Sequence, residues 1–203
     1  MIKEWNGLEI NYENDRFITD VLSNEEYKFL FRYPVVIDIG CHIGTFSLYM
    51  LDHADKIYAI EPSKENLTLM NQTIKDNDIK SIKTFQLAVS NKEGIGYIHT
   101  DGTAGGGGWK LDSILGTLPV NMVTLEGFMD SEGIDYADLV KLDVEGGEMD
   151  IIAEDNFPFK RIGTIIGEHH YANGNQIPFF NKLERMGYRC TEYNGNHFIA
   201  RHI

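Results

Sequence analysis

Residues 35–45 read Val-Val-Ile-Asp-Ile-Gly-Cys-His-Ile-Gly-Thr, which is a strand, a glycine turn and the first residue of a helix. The part Val35–Ile39 is nearly continuous in apolar residues, as is typical of a parallel strand buried on both faces. Gly40 and Gly44 lie in the turn, and a helix is predicted over residues 45–53. Nucleotide-binding turns occur in strand–turn–helix units of this kind.

The turn lacks the fingerprint of a dinucleotide site. That fingerprint needs glycines at 40, 42 and 45, whereas the chain has His42 and Thr45. A side chain at 42 blocks the approach of a pyrophosphate to the backbone, so NAD and FAD are disfavoured. No Gly-Lys-Ser/Thr of a Walker loop follows. A nucleoside ligand without a pyrophosphate remains, and S-adenosylmethionine is the common one.

An acidic residue follows the next predicted strand. The strand Lys56–Ile60 ends at Glu61-Pro62, and Glu61 lies 21 residues after Gly40. This is the position of the carboxylate that accepts hydrogen bonds from ribose hydroxyls. In the alternative interpretation, Gly40 and Gly44 are ordinary turn residues and Glu61 is a solvated strand end.

Strands and helices alternate along the rest of the chain, which predicts an α/β, doubly wound and mostly parallel sheet. Asn194-Gly195 between two strand-like runs predicts a hairpin that adds an antiparallel C-terminal strand. Ligands of such sheets bind beyond the carboxyl ends of the strands. Those ends carry acids at Asp38, Glu61, Asp143 with Glu145, and Glu168. The other predicted strands cover residues 82–89, 95–99, 120–124, 137–144 and 162–167.

The length of 203 residues suits a single domain, predicted over 1–203. Within it, residues 1–33 are expected to form an N-terminal cap region beside the ligand pocket. Residues 99–118, which contain the tract Gly-Thr-Ala-Gly-Gly-Gly-Gly at 102–108, are expected to form an insertion or a lid.

The composition of the chain argues against several classes of partner. Eighteen Lys and Arg against 31 Asp and Glu give a net charge of −13, which disfavours a nucleic-acid partner. No apolar run reaches the ~20 residues of a membrane span, so no membrane partner is expected. Two cysteines make no disulfide framework, and the first residues hold no hydrophobic signal core. The cytoplasm is therefore the expected compartment.

The sequence resembles the FkbM-type methyltransferases. The resemblance rests on residues 36–47, 59–62, 88–90, 124–128 and 140–148, of which the last, Val-Lys-Leu-Asp-Val-Glu-Gly-Gly-Glu, is the most specific. It implies a class I methyltransferase fold, S-adenosylmethionine as donor, and O-methylation of a hydroxyl on a sugar or natural product. Two features depart from the family: His42 stands where Asn is common, and the glycine tract at 102–108 is not a hallmark of the family.

The resemblance also implies a set of donor-binding residues. The glycine turn would pass under the methionine part, Glu61 would hold the ribose, and Ala88 with Val89 would line the adenine. His42 either hydrogen-bonds the donor carboxylate or only covers the turn, and Cys41 is more often a buried filler than a reactive thiol. The full predicted set is Asp38, Gly40, Cys41, His42, Gly44, Glu61, Pro62, Ala88, Val89 and Asp143.

The predicted catalytic residues are Asp143, Glu145, Glu168 and His169. A hydroxyl acceptor needs a general base, for which His169, His170, Glu168 and Asp143 are candidates. Glu148 has two interpretations, as a helix N-terminal acid that favours the dipole or as a functional group. Asp143, Glu145 and Glu168 are also suitable oxygen ligands for a divalent metal such as magnesium, although their spacing is not a metal motif and no metal site is predicted.

The sequence is also compatible with functions other than O-methylation. The principal rival is a methyltransferase acting on nucleic acid or protein, but the segment after the fourth main strand, Asp143-Val144-Glu145-Gly146, is not the Asn-Pro-Pro-Phe/Tyr type used for amino groups. Another is a catalytically inactive nucleoside-binding scaffold, and a nicotinamide-dependent reductase is a remote third. The favoured partner is a small-molecule acceptor, a carbohydrate or natural product.

Overall fold

A seven-stranded sheet forms the centre of the computed structural model, which describes residues 1–12, 31–99, 110–111, 118–153, 156–170, 176–193 and 195–203. The strands are β1 (Ile2–Trp5), β2 (Leu8–Asn11), β3 (Val35–Ile39), β4 (Lys56–Ile60), β5 (Ile82–Phe85), β6 (Ala88–Val89), β7 (Gly94–His99), β8 (Lys110–Leu111), β9 (Leu118–Val123), β10 (Ala137–Leu142), β11 (Ile162–Glu168), β12 (Tyr188–Tyr193) and β13 (His197–His202). The α-helices are α1 (Thr45–Tyr49), α2 (Lys64–Asp76), α3 (Leu125–Ser131), α4 (Glu148–Ala153) and α5 (Ile177–Arg185).

The strand order in the central sheet is β12-β13-β11-β10-β3-β4-β5. The run from β11 to β5 is parallel, and β13 is antiparallel to both of its neighbours. This confirms the predicted doubly wound sheet with an antiparallel C-terminal hairpin strand. The order reverses between β3 and β10, because the chain first builds outward through β4 and β5 and then returns. A ligand crevice is expected at the carboxyl ends of these two strands.

The predicted strand over residues 82–89 is divided between two sheets, which corrects the sequence prediction. Its first part, β5, pairs with β4 only as far as Phe85. The last hydrogen bond there runs from the backbone N–H of Glu61 to the Phe85 carbonyl, at 3.1 Å. Pro62 has no N–H to extend this ladder. The second part, β6, pairs in parallel with β9 in a side sheet of order β6-β9-β7-β8.

The helix predicted over residues 45–53 is shorter than expected, because α1 continues as a 3-10 turn, Met50–Asp52. An N-terminal hairpin, β1–β2, was not predicted, although Asn6 and Gly7 form its turn with φ of 47° and 79°. It is held to α2 by a 2.8 Å bond from the Asn11 N–H to the Thr73 hydroxyl. Residues 13–30, and most of 99–118, lie outside the described residues, so the cap and lid stay predictions.

The core lies on both faces of the central sheet. One cluster joins Ile37, Ile39 and Val140 to the helices α3, α4 and α5, and the other joins Val36 and Leu139 to α1 and α2. Neighbouring residues of β3 therefore enter opposite clusters, as expected of a strand covered on both faces. Among the described residues, no helix is long and apolar enough to cross a bilayer.

Candidate active site

The glycine turn after β3 is held against the end of β4. Its first two N–H groups, those of Gly40 and Cys41, donate to the Ile60 carbonyl at 2.9 and 3.1 Å. The turn requires positive φ values of 75° at Gly40, 55° at His42 and 89° at Gly44. His42 is the unusual member, because non-glycine residues rarely adopt this region except where the surrounding structure imposes it.

Close packing fixes the identity of both glycines. A Cβ at Gly40 would lie 1.8 Å from the Asp143 carbonyl oxygen, and a Cβ at Gly44 would lie 2.7 Å from the Met70 side chain. The first contact brings the glycine turn against the end of β10, because Asp143 directly follows that strand. A side chain at Gly40 would force the two strand ends apart.

A buried lysine joins the same strand ends. Lys141 Nζ donates to the Gly40 carbonyl at 3.0 Å and lies 3.4 Å from Asp38 and 3.3 Å from Asp143. Burial acts to lower the pKa of Lys141, but the charges of Asp143 and Asp38 outweigh it and raise that pKa above its ordinary value. The ammonium therefore stays charged and balances both carboxylates. The sequence carried one signal of this residue, a lysine between the apolar residues Val140 and Leu142 of a predicted strand.

Asp38 lies below the turn rather than in an open pocket. Its side chain is fully buried and accepts a 2.6 Å hydrogen bond from the Ser47 hydroxyl. Burial raises the pKa of Asp38, opposed by the charge of Lys141 and the bond from Ser47. Asp38 is therefore held beneath the turn by Ser47 and Lys141.

Glu61 is a buried carboxylate under the turn. Oε2 accepts from the His42 N–H at 3.0 Å, and Oε1 accepts from the Ser63 N–H at 3.0 Å and the Asn66 amide at 3.3 Å. Burial raises the pKa of Glu61 to about 7, which these hydrogen bonds only partly offset. An ionised carboxylate accepts about four hydrogen bonds and three are made here, so Glu61 can accept about one more, from a hydroxyl donor.

These features fit the predicted donor. A nucleoside ribose supplies two hydroxyl donors, which favour the charged form of a carboxylate that burial has made hard to ionise. Glu61 together with the turn over residues 40–44 would hold such a ligand. Pro62 follows Glu61 at the end of β4 and stops the strand there.

The remaining predicted donor residues are buried. Val89 belongs to the core cluster on one face of the central sheet, which also contains Ile39 and Ile60. Ala88 packs inside the side sheet. Cys41 Sγ contacts Met70 Sδ at 3.6 Å, and burial raises the pKa of its thiol, so it fills space as expected.

A second group of side chains lies beyond β10 and β11. Its fixed member is Glu148, which is fully buried and whose Oε1 accepts from the Val144 N–H at 3.2 Å and the Gly146 N–H at 3.1 Å. The chain turns through positive φ at Glu145 (59°) and Gly146 (110°) to make these contacts. Burial acts to raise the pKa of Glu148, but His170 and the Gly146 N–H bring it below its ordinary value.

His170 completes this group. Its Nδ1 lies 2.9 Å from Glu148 Oε1, and its Nε2 lies 3.5 Å from Glu145 and 4.0 Å from Asp143. Burial acts to lower the pKa of His170, but Glu148 in particular, with Asp143 and Glu145, raises it to about 9. Sequence reasoning placed His170 only among the possible bases.

His169 points away from the group. It is buried, its Nε2 lies 3.1 Å from Glu192, and its ring packs edge-on against Phe180 with centroids 5.6 Å apart. Glu168, the last residue of β11, accepts a hydrogen bond from the Asn196 amide. The structure thus brings together Asp143, Glu145 and His170, and it places His169 elsewhere.

Within the described part of the chain, one group of side chains could hold a divalent ion. Asp143, Glu168 and His170 each offer a ligand atom, and these atoms lie within 4.8 Å of one another. The ligands considered from the sequence were Asp143, Glu145 and Glu168, so this group contains His170 where the sequence suggested Glu145. Carboxylate and imidazole ligands would suit several divalent metals.

Comparisons with known proteins identify the family of this chain. The chain matches the family described as Methyltransferase FkbM domain over residues 38–190. The 2-O-methyltransferase NoeI of Sinorhizobium fredii (strain NBRC 101917 / NGR234) is 24% identical over 139 residues, which cover 59% of this chain and 56% of NoeI. The chain thus spans about half the length of this curated relative.

Solved structures share the fold. Methyltransferase FkbM from Methylobacillus flagellatus KT has a TM-score of 0.57 at 13% identity, covering 92% of this chain and 48% of that one. Precorrin-6y C5,15-methyltransferase from Geobacter metallireducens GS-15 has a TM-score of 0.53 at 15% identity, covering 86% and 83%. The fold is the Rossmann-like one of class I methyltransferases. Because the family match includes the glycine turn, Glu61 and residues 143–148, the chain belongs to the FkbM methyltransferase family, whose methyl donor is S-adenosylmethionine.

Proposed function

We propose that this chain is an O-methyltransferase that acts on a hydroxyl of a small molecule, with a carbohydrate as the favoured acceptor. The observation that carries the proposal is the connection between two halves of one site. Lys141 and Gly40 join the turn that suits the donor to Asp143, and Asp143 lies in the group that contains Glu145 and His170.

The donor half would position the ligand. Glu61 would accept hydrogen bonds from the ribose, and the backbone of the turn over residues 40–44 would lie against the amino-acid part. S-adenosylmethionine supplies a methyl group on a positively charged sulfonium. The acidic side chains at the ends of β10 and β11 suit that charge.

The acceptor half would align and deprotonate a hydroxyl. Asp143 and Glu145 are partly exposed, with 26% and 35% of their side chains accessible, so they can accept hydrogen bonds from a polyol. Alignment of the reacting oxygen behind the methyl carbon is the main requirement of a direct displacement. The similarity to NoeI, a 2-O-methyltransferase, supports an oxygen acceptor.

The acidity also favours a neutral or cationic acceptor over a phosphorylated one. The net charge is −13, and the described acceptor side holds carboxylates at 143, 145 and 168. A nucleic acid would need Lys and Arg against its phosphates. We also propose that residues 1–203 act as a single domain, since the hairpin β1–β2 packs on α2 of the same core.

A product assay tests the function. The protein is incubated with S-adenosylmethionine that carries a trideuterated methyl group and with a panel of methyl glycosides, phenols, a tRNA transcript and a peptide mixture. We expect labelled product from the hydroxyl-bearing small molecules and none from RNA or peptides. Labelled RNA or peptide would replace the proposed acceptor class, and donor binding without any labelled product would identify a binding scaffold.

A further inference from the structure

Glu148 and His170 form a pair whose geometry resembles that of an oriented base. Glu148 lies at the start of α4 and His170 two residues after β11, and their side chains meet at 2.9 Å. We propose that His170 is the general base that removes the acceptor proton and that Glu148 is the positioning residue that holds its ring. This inference rests on the proposed function and names the groups that perform its proton transfer.

Glu148 has little freedom to move. Its side chain is fully buried, and one oxygen accepts from two backbone N–H groups and from His170. Among the described residues, its other oxygen is buried without a hydrogen-bond partner. The imidazole is therefore the only side-chain donor to this carboxylate within the described part of the chain. A buried carboxylate without a second charge partner holds such a donor firmly.

This contact sets the tautomer of the ring. Because Glu148 is ionised and can only accept, the proton of the neutral imidazole lies on Nδ1. Nε2 then carries the lone pair. The same division of roles, a buried carboxylate that orients a histidine base, operates in hydrolase triads.

Nε2 lies beside the partly exposed carboxylates of the group. About one fifth of the His170 side chain is exposed, and Nε2 lies nearest to Glu145 and Asp143, which are also partly exposed. Asp143 is in turn joined through Lys141 to the donor-side turn. An acceptor hydroxyl placed among these groups would lie between Nε2 and the donor.

Methyl transfer is a substitution at carbon that is coupled to a proton transfer. The acceptor oxygen forms a bond to the methyl carbon while the carbon–sulfur bond breaks and leaves its electron pair on sulfur. The hydroxyl proton passes to His170 Nε2, which becomes an imidazolium beside Glu148. Solvent then removes that proton.

The charges around the ring set its working range. Carboxylates of Glu148, Glu145, Asp143 and Glu168 all face His170, and Lys141 lies behind Asp143. Burial acts to lower the pKa of His170, but Glu148, Asp143 and Glu145 outweigh it and raise this pKa to about 9, so the ring has to lose a proton before Nε2 can act as a base. A bound sulfonium would lower this pKa by its own positive charge.

Two properties of the protein without ligands test the pairing. We expect ¹⁵N NMR of the wild-type protein to show the Nδ1–H tautomer of His170 at high pH and a pKa well above the ordinary ~6.5. In Glu148→Gln that pKa should fall by about one unit or more, since the facing charge is lost. A wild-type Nε2–H tautomer, or a pKa that Glu148→Gln leaves unchanged, overturns the proposal.

Turnover of a methyl glycoside found in the product assay tests the role of the base. We expect His170→Ala to lower kcat by on the order of 10²–10⁴ and free imidazole to restore part of it. Glu148→Gln should lower kcat by at least about tenfold with little change in KM, and Glu148→Asp should recover part of the loss. The matched control is Glu192→Gln, which removes the carboxylate that contacts His169 and should retain kcat.

The contrary outcomes separate this inference from the function it rests on. Full activity of folded His170→Ala, or equal losses in Glu148→Gln and Glu192→Gln, overturns the assignment while the methyltransferase stands. Activity abolished by a chelator and restored by Mg²⁺ would assign the deprotonation to a metal at Asp143, Glu168 and His170 instead. A wild-type protein that methylates no hydroxyl overturns the proposed function itself.

Discussion

Lys141 donates a 3.0 Å hydrogen bond to the backbone carbonyl of Gly40, from a neighbouring strand and a position 101 residues further along the chain. The same ammonium lies between the carboxylates of Asp38 and Asp143. One buried side chain therefore fixes the separation of the ends of β3 and β10, beside which the proposed donor and acceptor halves lie.

Removal of this ammonium should damage both stability and donor binding. We predict that Lys141→Met lowers the free energy of unfolding by about 3–5 kcal/mol, because it leaves the carboxylate of Asp38 buried without its charge partner. Chemical denaturation measures the loss. The matched control, Lys83→Met, breaks the exposed pair with Glu132 and should cost roughly 0–1 kcal/mol. Equal losses in the two variants would show that Lys141 bears no special charge-balancing role.

The contact at Gly40 can be separated from its backbone conformation. Gly40 and Gly7 share φ near 75° and 79°, but a Cβ at Gly7 would meet nothing within 4 Å. We predict that Gly7→Ala costs about 1–2 kcal/mol, the penalty of the left-handed conformation. Gly40→Ala should cost clearly more and weaken binding of S-adenosylhomocysteine. Similar unfolding free energies for the two variants would contradict the close approach to Asp143.

The raised pKa of Glu61 predicts opposite pH dependences for stability and for donor binding. The carboxyl has a pKa of about 7 in the folded protein against 4.5 for the free group. Its contribution to stability is therefore fully present below pH 4.5 and is lost as the pH rises through about 7. Ribose hydroxyls prefer the ionised form, so affinity for S-adenosylhomocysteine should rise over the same range.

Calorimetric titration across this range checks the second prediction. In Glu61→Gln the side chain cannot ionise, so we expect weaker binding with a flat pH profile. A wild-type affinity that does not change between about pH 5 and about pH 8 would show that Glu61 is already ionised or does not touch the ligand.

The hydroxyl of Ser47 supports Asp38 from the helix that follows the turn. We predict that Ser47→Ala lowers the free energy of unfolding by about 1.5–3 kcal/mol, since it removes a hydrogen bond to a buried charged group. The exposed Thr68, which bonds its own helix through the Lys64 carbonyl, provides a control in Thr68→Ala. Thermal unfolding distinguishes them, and a Ser47→Ala loss no larger than that of the control would contradict the buried contact.

Local patterns were enough to predict the central sheet. The apolar run of β3, the glycines after it and the acid after β4 each follow from chemistry within a few residues, and the Asn-Gly pair gave the C-terminal hairpin. The same Asn-Gly signal at residues 6–7 was overlooked, and β1–β2 was therefore missed. The division of residues 82–89 depends on where β4 ends, which a pattern internal to that segment does not contain.

The side-chain partners within the site depend on distant positions. Lys141 meets Gly40 across 101 residues, and His170 meets Glu148 across 22. Two adjacent histidines, His169 and His170, follow β11. The predicted catalytic residues included His169. After β11, however, the chain orients His170 toward the acids and His169 toward Glu192.

The most direct test is calorimetric titration of the wild-type protein and of Glu61→Ala with S-adenosylhomocysteine. We predict one binding site per wild-type chain and at least roughly tenfold weaker binding in the variant, because hydrogen bonds to a charged group contribute about 1.5–3 kcal/mol. A thermal unfolding curve for the variant confirms that it is folded. No binding to the wild-type protein, or equal affinity in a folded Glu61→Ala, would contradict a donor pocket at the ends of β3 and β4.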